Sequence, residues 1–370
     1  MSNKKRVLFL YRPGIHHLFH SLYIAIELSK IQDEYEVCIL NTGLDMHKII
    51  KSEIIRRNAN INYFNRSVLF MVINKSYPNI IKLNKSILRK SDIILTASYG
   101  IPGCLLKNNL RDKFVIFTRH GTGDRKFTFN KGLFEFDCVF ITSKKMYDQF
   151  REMSILDKLK NYLQIDYCKF DYLFYYPDKN LKIFNNNLPI VLYNPHYDKK
   201  ESSFYKDAEK IVSAILESKK YNIILSPHPL VNKWYFFDRI KLHFSKSERL
   251  YIDWSSIHKV NFDYMKIADI YLGDVSSSIY EWLFFDKPMI FYNSHNVEWK
   301  NNPYYRFWNL GNIAADPQEL LKHLDKSISG DDSFARVRKE TKEYVFGNID
   351  GKASYRTAVK LYNYFREKKI

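Results

Sequence analysis

Residues 269–293 read DIYLGDVSSSIYEWLFFDKPMIFYN, and this stretch decides the fold. An apolar run over 270–272 leads into Gly-Asp-Val and three serines, and apolar residues then recur at helical spacing over 279–285. A second apolar run at 289–292 follows an Asp-Lys-Pro stop. This order predicts a strand, a tight turn, a short helix and a second strand, as in a βαβ unit.

The serine turn inside this unit is a candidate binding site. The first N–H groups of a helix lack intrahelical partners and carry partial positive charge, so such a turn favours phosphate. Asp274, Ser276 and Ser277 are therefore candidates for contact with a phosphate, and Glu281 on the same helix is a candidate for binding ribose hydroxyls. The alternatives are that Asp274 or Ser276 only caps the helix and that Glu281 only faces solvent.

Strand-like and helical patterns alternate along the rest of the chain, which predicts α/β architecture with parallel, doubly wound sheets. Strands are predicted at 7–11, 35–40, 92–97, 114–118, 138–142, 189–193, 222–225 and 249–252. Helices are predicted at 15–30, 44–57, 76–90, 144–153, 202–219, 231–244 and 259–268.

A polar, asparagine-rich stretch near residues 176–188 divides this pattern into two halves. We therefore predict a Rossmann-like N-terminal domain over 1–175, a linker over 176–188, a second Rossmann-like domain over 189–335 and closing helices over 336–370. Two such halves would face a central cleft, where the carboxyl ends of both sets of strands meet one ligand.

Composition limits the class of protein and its partners. Hydrophobic residues make up 46% of the 370 residues and the net charge is +18, which indicates a globular protein with an affinity for polyanions. A compositional bias towards Lys, Asn, Ile and Tyr is the alternative source of that charge. No zinc-finger spacing, RNP-type strand or Walker A sequence is present, so nucleic acid is not expected as a partner.

The chain carries no pattern for export or membrane insertion. The apolar run at 7–11 is too short for a signal peptide, and no run approaches the ~18 residues of a membrane span. Four scattered cysteines without a CxxC pattern indicate reduced thiols. We expect a cytoplasmic protein that contacts membranes, if at all, from their surface.

The loop RHGTGDR at 119–125 follows a predicted strand and carries a second set of candidate residues. His120 can titrate near neutral pH and act as a general base, and Gly121 allows backbone N–H groups to approach a ligand closely. Thr122, Arg119 and Arg125 are candidates for binding an acceptor or a phosphate. The alternative is a histidine satisfied inside a glycine turn.

A third loop, Pro227-His228-Pro229, also follows a predicted strand. Flanking prolines restrict the backbone and so orient the imidazole, which could hold phosphate oxygens; a merely rigid loop is the alternative. His16 opens the helix after the first strand and is a candidate on the acceptor side. It lies four residues before His20, but no further ligand accompanies the pair, so no metal site is predicted.

These motifs, in this order, resemble the CDP-glycerol glycerophosphotransferase family, which makes teichoic acids and related capsule polymers. The resemblance spans roughly residues 90–295. It rests on His120-Gly121-Thr122, Pro227-His228-Pro229, Asp274, Ser276-Ser277, Glu281 and Asp286-Lys287-Pro288. The stretch DYCKFDYL at 166–173 is also similar to a Gly-x-Pro-(Lys/Arg)-x-Asp motif of that family, without its glycine and proline.

The resemblance implies a GT-B fold, with an acceptor domain first and a nucleotide-donor domain second. It also implies transfer of glycerol phosphate, or a related alditol phosphate, from a CDP-linked donor to a hydroxyl of a glycan or lipid-linked acceptor, without a cofactor. A GT-B glycosyltransferase or an epimerase acting on UDP-sugars is one alternative, and a non-catalytic protein that binds polyanions is another. The acceptor, any metal requirement and the choice between single addition and polymerisation stay open.

Overall fold

The computed structural model describes residues 4–31, 34–69, 73, 76–119, 121–124, 129–177, 181–228, 230–231, 247–254 and 257–370. The chain forms two compact units. The first consists of Met1–Thr122, Phe129–Pro177 and Val345–Ile370, and the second of Gly123–Thr128 and Asp178–Tyr344. The chain therefore enters the second unit for six residues at Gly123, long before the main body of that unit begins.

The first unit is built on a seven-stranded parallel sheet in the order β3-β2-β1-β4-β5-β6-β7. Its strands are β1 Lys5–Tyr11, β2 Tyr35–Asn41, β3 Ile61–Asn65, β4 Ile93–Thr96, β5 Phe114–Phe117, β6 Cys138–Ile141 and β7 Tyr162–Gln164. Most residues of the central strands are buried, because both faces of a parallel sheet are covered. The chain order reverses between β1 and β4, which is the switch point where such sheets bind ligands.

The helices of the first unit cover both faces of this sheet. They are α1 Leu22–Ile31, α2 His47–Arg56, α3 Tyr77–Leu83, α4 Lys85–Arg89, α5 Ile101–Lys107, α6 Lys144–Glu152, α7 Asp171–Tyr175 and the last helix, Ala353–Lys368. Short 3₁₀ segments include Ile15–His20, Leu44–Met46 and Cys168–Phe170. The last helix packs against α1 and begins where both carboxylate oxygens of Asp171 accept the backbone N–H groups of Ala353 and Ser354.

The second unit has a six-stranded parallel sheet in the order β10-β9-β8-β11-β12-β13. Its strands are β8 Ile190–Asn194, β9 Asn222–Leu225, β10 Leu250–Ile252, β11 Ile270–Gly273, β12 Met289–Tyr292 and β13 Asn312–Ala314. Here the switch point lies between β8 and β11. The serine turn that follows β11 therefore stands at the ligand-binding edge of its sheet.

The helices of this unit are α8 Phe204–Glu217, α9 Asp263–Ile267, α10 Ser278–Trp282 and α11 Pro317–Ile328, with 3₁₀ segments at Ile257–Lys259, Leu283–Phe285 and Pro303–Leu310. Helix α12, Ala335–Phe346, ends in the first unit, and we number the last helix, Ala353–Lys368, α13. In α8 the buried residues Phe204, Ala208, Ile211 and Ile215 recur at helical spacing and cover the sheet.

The predicted α/β class, with two parallel-sheet units, is confirmed. Each strand predicted from sequence is present within one or two residues, but β3, β7 and β13 were not predicted. They are edge strands of three to five residues with partly exposed side chains, so they lack a continuous apolar run. The predicted helix at 231–244 lies almost wholly outside the described residues.

Cys38, Cys104, Cys138 and Cys168 are all free thiols. Within the described part of the chain, no helix combines the length and apolar character that a bilayer crossing requires.

Candidate functional site

Three loops of the second unit leave neighbouring strands at the switch point. Residues 195–197 follow β8, residues 226–228 follow β9, and residues 274–278 follow β11. The carboxyl ends of adjacent parallel strands share one edge of the sheet, so the side chains of these loops come together there.

His228 is held through both its backbone and its ring. Its N–H donates to the carbonyl of Pro195 at 3.0 Å, and its Nδ1 accepts the backbone N–H of Leu230 at 3.2 Å. Because Nδ1 is an acceptor, the hydrogen of the neutral imidazole lies on Nε2. The half-buried ring is thus set up as a donor through Nε2.

Lys259, which sequence analysis did not identify, binds the peptide group that precedes His228. Its Nζ donates to the carbonyls of Pro227, Asp253 and Trp254. The peptide unit between Pro227 and His228 is therefore fixed at its oxygen by Lys259 and at its nitrogen by Pro195. A lysine in a polar segment gives no local signal for such a contact, which joins the ends of β9 and β10.

His196 occupies the equivalent position after β8, again preceded by a proline. Its Nδ1 accepts the N–H of Asp198 at 3.1 Å, and its ring centroid lies 5.5 Å from that of His228. Tyr197 lies against both rings, at 4.2 and 4.7 Å between centroids. The Pro-His pair is repeated in the sequence, as Pro195-His196 and Pro227-His228.

The serine turn is held by a network of hydroxyl groups. Ser278 donates to Oδ1 of Asn194 at 2.8 Å, and its oxygen lies 2.7 Å from Oγ of Ser276 and 3.3 Å from the hydroxyl of Tyr271. Ser277 occupies the N-cap position of α10 without a side-chain capping bond. Helix α10 has only five residues, so its dipole is small and the serine hydroxyls are the main polar groups of this turn.

Asp274 is completely buried and joins three segments. Its Oδ1 accepts N–H groups of His196 (2.9 Å) and Val275 (2.7 Å), and its Oδ2 accepts the N–H and hydroxyl of Ser203 (2.7 and 2.9 Å). Burial raises the pKa of Asp274 to about 6, and these hydrogen bonds oppose the rise. The geometry favours a positioning role, because the four bonds occupy both oxygens.

The first turn of α10 also meets the residues that follow the His120 motif in the chain. Tyr280 donates its hydroxyl hydrogen to the buried carboxylate of Asp124, and a Cβ on Gly123 would lie 3.4 Å from Cβ of Ser277. Burial raises the pKa of Tyr280 well above its ordinary value, and the Asp124 charge adds to the rise. Glu281, on the same turn, is only 5% exposed rather than facing solvent.

The loop 119–125 begins in the first unit, which includes its residues up to Thr122. Arg119 is buried, its guanidinium carbon lies 5.1 Å from the Phe150 ring centroid, and burial lowers the pKa of Arg119. Gly121 has a φ of 73°, a conformation that favours glycine. The carbonyl of Thr122 accepts a hydrogen bond from Lys145 at 2.5 Å. His120, Arg125 and Pro229, all predicted site residues, lie outside the described residues.

His16 lies in the 3₁₀ segment Ile15–His20, beside His17, with 4.0 Å between ring centroids. Burial, and then the positive charge of Lys169, lower the pKa of His16 to about 4 and that of His20 well below its ordinary value. Lys169 is itself buried and belongs to the DYCKFDYL stretch. This segment therefore combines neutral imidazoles with a buried cation. No three His, Cys, Asp or Glu side chains within the described ranges are grouped as metal ligands.

Comparison with known families gives one match. The model of the family described as CDP-Glycerol:Poly(glycerophosphate) glycerophosphotransferase matches residues 136–362, more than half of the chain. The matched range includes His228, the serine turn and Lys259, and begins after the His120 motif. No curated protein sequence matches the chain.

Solved structures share the fold over nearly the whole chain. The wall teichoic acid polymerase TagF has a TM-score of 0.67 at 16% identity, covering 100% of this chain and 90% of that one. The UDP-GlcNAc 2-epimerase from Neisseria meningitidis bound to UDP-GlcNAc has a TM-score of 0.66 at 15% identity, covering 97% and 100%. A putative UDP-N-acetylglucosamine 2-epimerase from Listeria monocytogenes has a TM-score of 0.66 at 12% identity, covering 98% and 97%. At these identities the likeness concerns the fold alone.

Proposed function

The chain belongs to the CDP-glycerol:poly(glycerophosphate) glycerophosphotransferase family, and on that premise we propose that it transfers glycerol phosphate from CDP-glycerol to a hydroxyl of a glycan or lipid-linked acceptor. A related alditol phosphate is the alternative group. The products are CMP and the extended acceptor, a step in the synthesis of a cell-surface polymer such as a teichoic acid, a capsule or an O-antigen. The observation that carries the proposal is the family match, since it includes both His228 and the serine turn at the switch point.

The proposed reaction is attack of the acceptor oxygen on the phosphorus that bears the glycerol group. A new P–O bond forms to the acceptor, the P–O bond to the CMP phosphate breaks, and CMP leaves with that electron pair. The acceptor proton passes to His120, the proposed general base. In such phosphoryl transfers, positioning and charge stabilisation supply most of the rate enhancement.

On the donor side, His228 is proposed to stabilise the diphosphate. A hydrogen on Nε2 gives a donor to a phosphate oxygen, and the bonds to Pro195 and Leu230 hold the ring for it. Ser276 and Ser277 add hydroxyl donors at the neighbouring strand end. Pro229 restricts the backbone beside His228, Asp274 positions the loop that carries His196, and Glu281 is proposed to bind the CMP ribose.

On the acceptor side, we assign binding roles to residues around the His120 motif. Arg119 and Arg125 would neutralise phosphate or acceptor charge, while Gly121 and Thr122 would offer backbone groups. His16, in the 3₁₀ segment that follows β1, would contact the acceptor. The TagF structures include soaks with CDPG, which supports a CDP-linked donor in a protein of this fold. The family assignment supports the same donor here.

We further propose that the enzyme works in the cytoplasm at the inner face of the membrane. Its net charge of +18 favours contact with anionic lipid headgroups, where a lipid-linked acceptor would be presented. Neither a cofactor nor nucleic acid takes part in this proposal.

CMP release, measured with CDP-glycerol and CDP-ribitol against a panel of glycan and lipid-linked acceptors, tests the proposal. We expect CMP release with one CDP-alditol, and no thermal stabilisation of the protein by UDP-sugars. Stabilisation by UDP-sugars without any response to CDP-glycerol would favour the epimerase or glycosyltransferase alternative. Binding of polyanions without CMP release, unchanged by His120→Ala or His228→Ala, would indicate a non-catalytic protein.

A further inference from the structure

Two neighbouring loops of the first unit carry exposed apolar side chains. Leu44 follows β2 and is 50% exposed, while Val68 and Leu69 follow β3 and are 65% and 39% exposed. In the sequence, the last two open an apolar run that reads VLFMVI over 68–73. Single exposed apolar residues are ordinary on a protein surface, but a group of them on adjoining loops indicates an interaction site.

Hydrogen bonds at the ends of β2 and β3 join these two loops. The backbone N–H of Arg66 donates to the carbonyl of Asn41 at 2.8 Å. The side chain of Asn41 bonds to both backbone groups of Gly43 at 2.9 Å and to Oδ1 of Asn65 at 3.3 Å. That oxygen also accepts the N–H of Ser67 at 3.1 Å. The two loops are therefore fixed to one another at the carboxyl edge of the sheet.

Exposed cations lie beside the apolar side chains. Lys48 and Lys51 are one turn apart on α2, and Arg66 lies at the start of the loop after β3. Asp45 lies among them, and its carboxylate accepts the N–H of Ile15 at 3.2 Å. We refer to six exposed residues together as the loop surface: Leu44, Lys48, Lys51, Arg66, Val68 and Leu69.

This combination of side chains matches the chemistry of an anionic bilayer. Phospholipid headgroups with negative charge attract lysine and arginine, and the acyl region beneath them accepts apolar side chains. A protein partner or a second copy of the chain would bury the apolar residues equally well, but it would leave the cations without a defined counter-charge. The charges of the loop surface therefore favour the bilayer.

The loop surface also adjoins the segment proposed to bind the acceptor. His16 lies in the 3₁₀ segment Ile15–His20, and the bond from Ile15 to Asp45 joins that segment to the loop after β2. A Cβ on Gly43 would lie 3.1 Å from Cα of Pro13, so the loops after β1 and β2 are in close contact. A bilayer at this position would present a lipid-linked hydroxyl on the acceptor side of the first unit.

We propose that the loop surface is where the protein binds the membrane, with its apolar side chains inserted into an anionic bilayer and its cations among the headgroups. The inference rests on the proposed function, which places the enzyme at a membrane from its net charge and assigns no surface. Ile55 provides an internal comparison. It is 68% exposed and lies beside Arg56, but it is at the far end of α2, about 12 Å along the helix axis from its start.

Cosedimentation with vesicles of equal parts phosphatidylcholine and phosphatidylserine tests this inference. We expect Val68→Asp and Leu44→Asp each to lower the partition coefficient by about tenfold or more, because an inserted apolar group is lost and a negative charge is added. Arg66→Gln should lower it by about fivefold at low salt, and this effect should disappear at high salt. Ile55→Asp is the matched control and should retain binding. Thermal unfolding of each variant shows whether it is folded.

A fluorescent label gives a direct measure of insertion. An environment-sensitive dye is attached to Val68→Cys or to Ile55→Cys, after the partly exposed Cys104 has been replaced by serine. The label at position 68 should shift its emission to the blue when these vesicles are added, and the label at position 55 should not.

Vesicle binding that survives both Val68→Asp and Leu44→Asp, or equal responses of the two labels, would overturn the inference. If Val68→Asp instead turned a dimer into a monomer and left vesicle binding intact, the loop surface would belong to a second copy of the chain. A protein that binds vesicles through the loop surface but never releases CMP would contradict the transferase and retain the surface. Release of CMP with a soluble acceptor by a protein that binds no vesicles would do the opposite.

Discussion

At the scale of single residues, His228 offers a way to separate the two functions of one imidazole. Its Nδ1 accepts the Leu230 N–H, and its Nε2 carries the hydrogen proposed for the phosphate. In His228→Asn the amide oxygen can accept the same N–H, because asparagine commonly forms turns of this kind, but no group replaces Nε2. We expect kcat to fall by about 100-fold or more with little change in thermal midpoint.

His228→Ala is the comparison for that experiment, since it removes both nitrogens and should also loosen the loop. An Asn variant that keeps near wild-type kcat would show that Nε2 has no part in the reaction.

Asp274 allows a prediction about pH. Its pKa is raised to about 6 in the folded protein by burial, above its ordinary value of 3.8, so the folded state binds this proton more tightly than the unfolded state. The resulting stabilisation is fully present below pH 3.8 and is lost as the pH rises through about 6. Urea unfolding from pH 4 to 7 should show wild type losing stability relative to Asp274→Asn as the pH increases.

A constant difference between these two proteins across the same range would mean that the Asp274 carboxylate titrates alike in the folded and unfolded chains.

Some residues of the candidate site carry a local signal in the sequence, and others do not. His228 and the serines stand beside prolines and glycines in short motifs, which provide a local signal, and their roles remain proposals. Lys259 and Asn194 act through contacts with residues more than 30 positions away. Such contacts depend on which strands are neighbours, and a single sequence does not state that.

At the scale of elements, Lys259 joins the carboxyl ends of β9 and β10 and so positions the His228 loop. Lys259→Met should leave the carbonyl of Pro227 without this donor and reduce kcat more than the KM for CDP-glycerol, by about tenfold. Lys259→Arg should recover part of the activity because it can still donate to carbonyl groups. Lys322→Met, on the exposed face of α11, is the control.

A selective loss of the His228 Nδ1 hydrogen bond, visible in the nitrogen chemical shifts of the imidazole, would accompany the drop in kcat. If Lys259→Met keeps both the kinetic constants and those shifts, the lysine does not position His228.

Strands in the centre of each sheet could be predicted from sequence more readily than strands at its edges. Buried strands such as β1 and β11 carry continuous apolar runs, because helices cover both of their faces. The edge strands β3, β7 and β13 are short and partly exposed, so their sequences resemble loops. The sequence therefore predicted two parallel sheets, but not the number of strands in each.

At the scale of the whole molecule, the positive charge leads to a prediction about membranes. With 58 Lys and Arg against 40 Asp and Glu, the protein should bind vesicles containing phosphatidylserine more strongly than vesicles of phosphatidylcholine alone. Cosedimentation at rising salt should show this difference disappear, since screening shortens the range of the field. Equal binding to both vesicles would contradict the proposed peripheral contact.

The path of the chain between the two units restricts how the protein can be divided. Gly123–Thr128 belongs to the second unit, although its main body begins only at Asp178, and Val345–Ile370 returns to the first. A recombinant fragment of residues 178–344 would therefore lack Asp124 and lose the hydrogen bond that the buried Tyr280 donates to its carboxylate. If the polypeptide is divided into two separately folding halves, residues 123–128 must be kept with the second half. The same holds if one half is replaced by that of a relative.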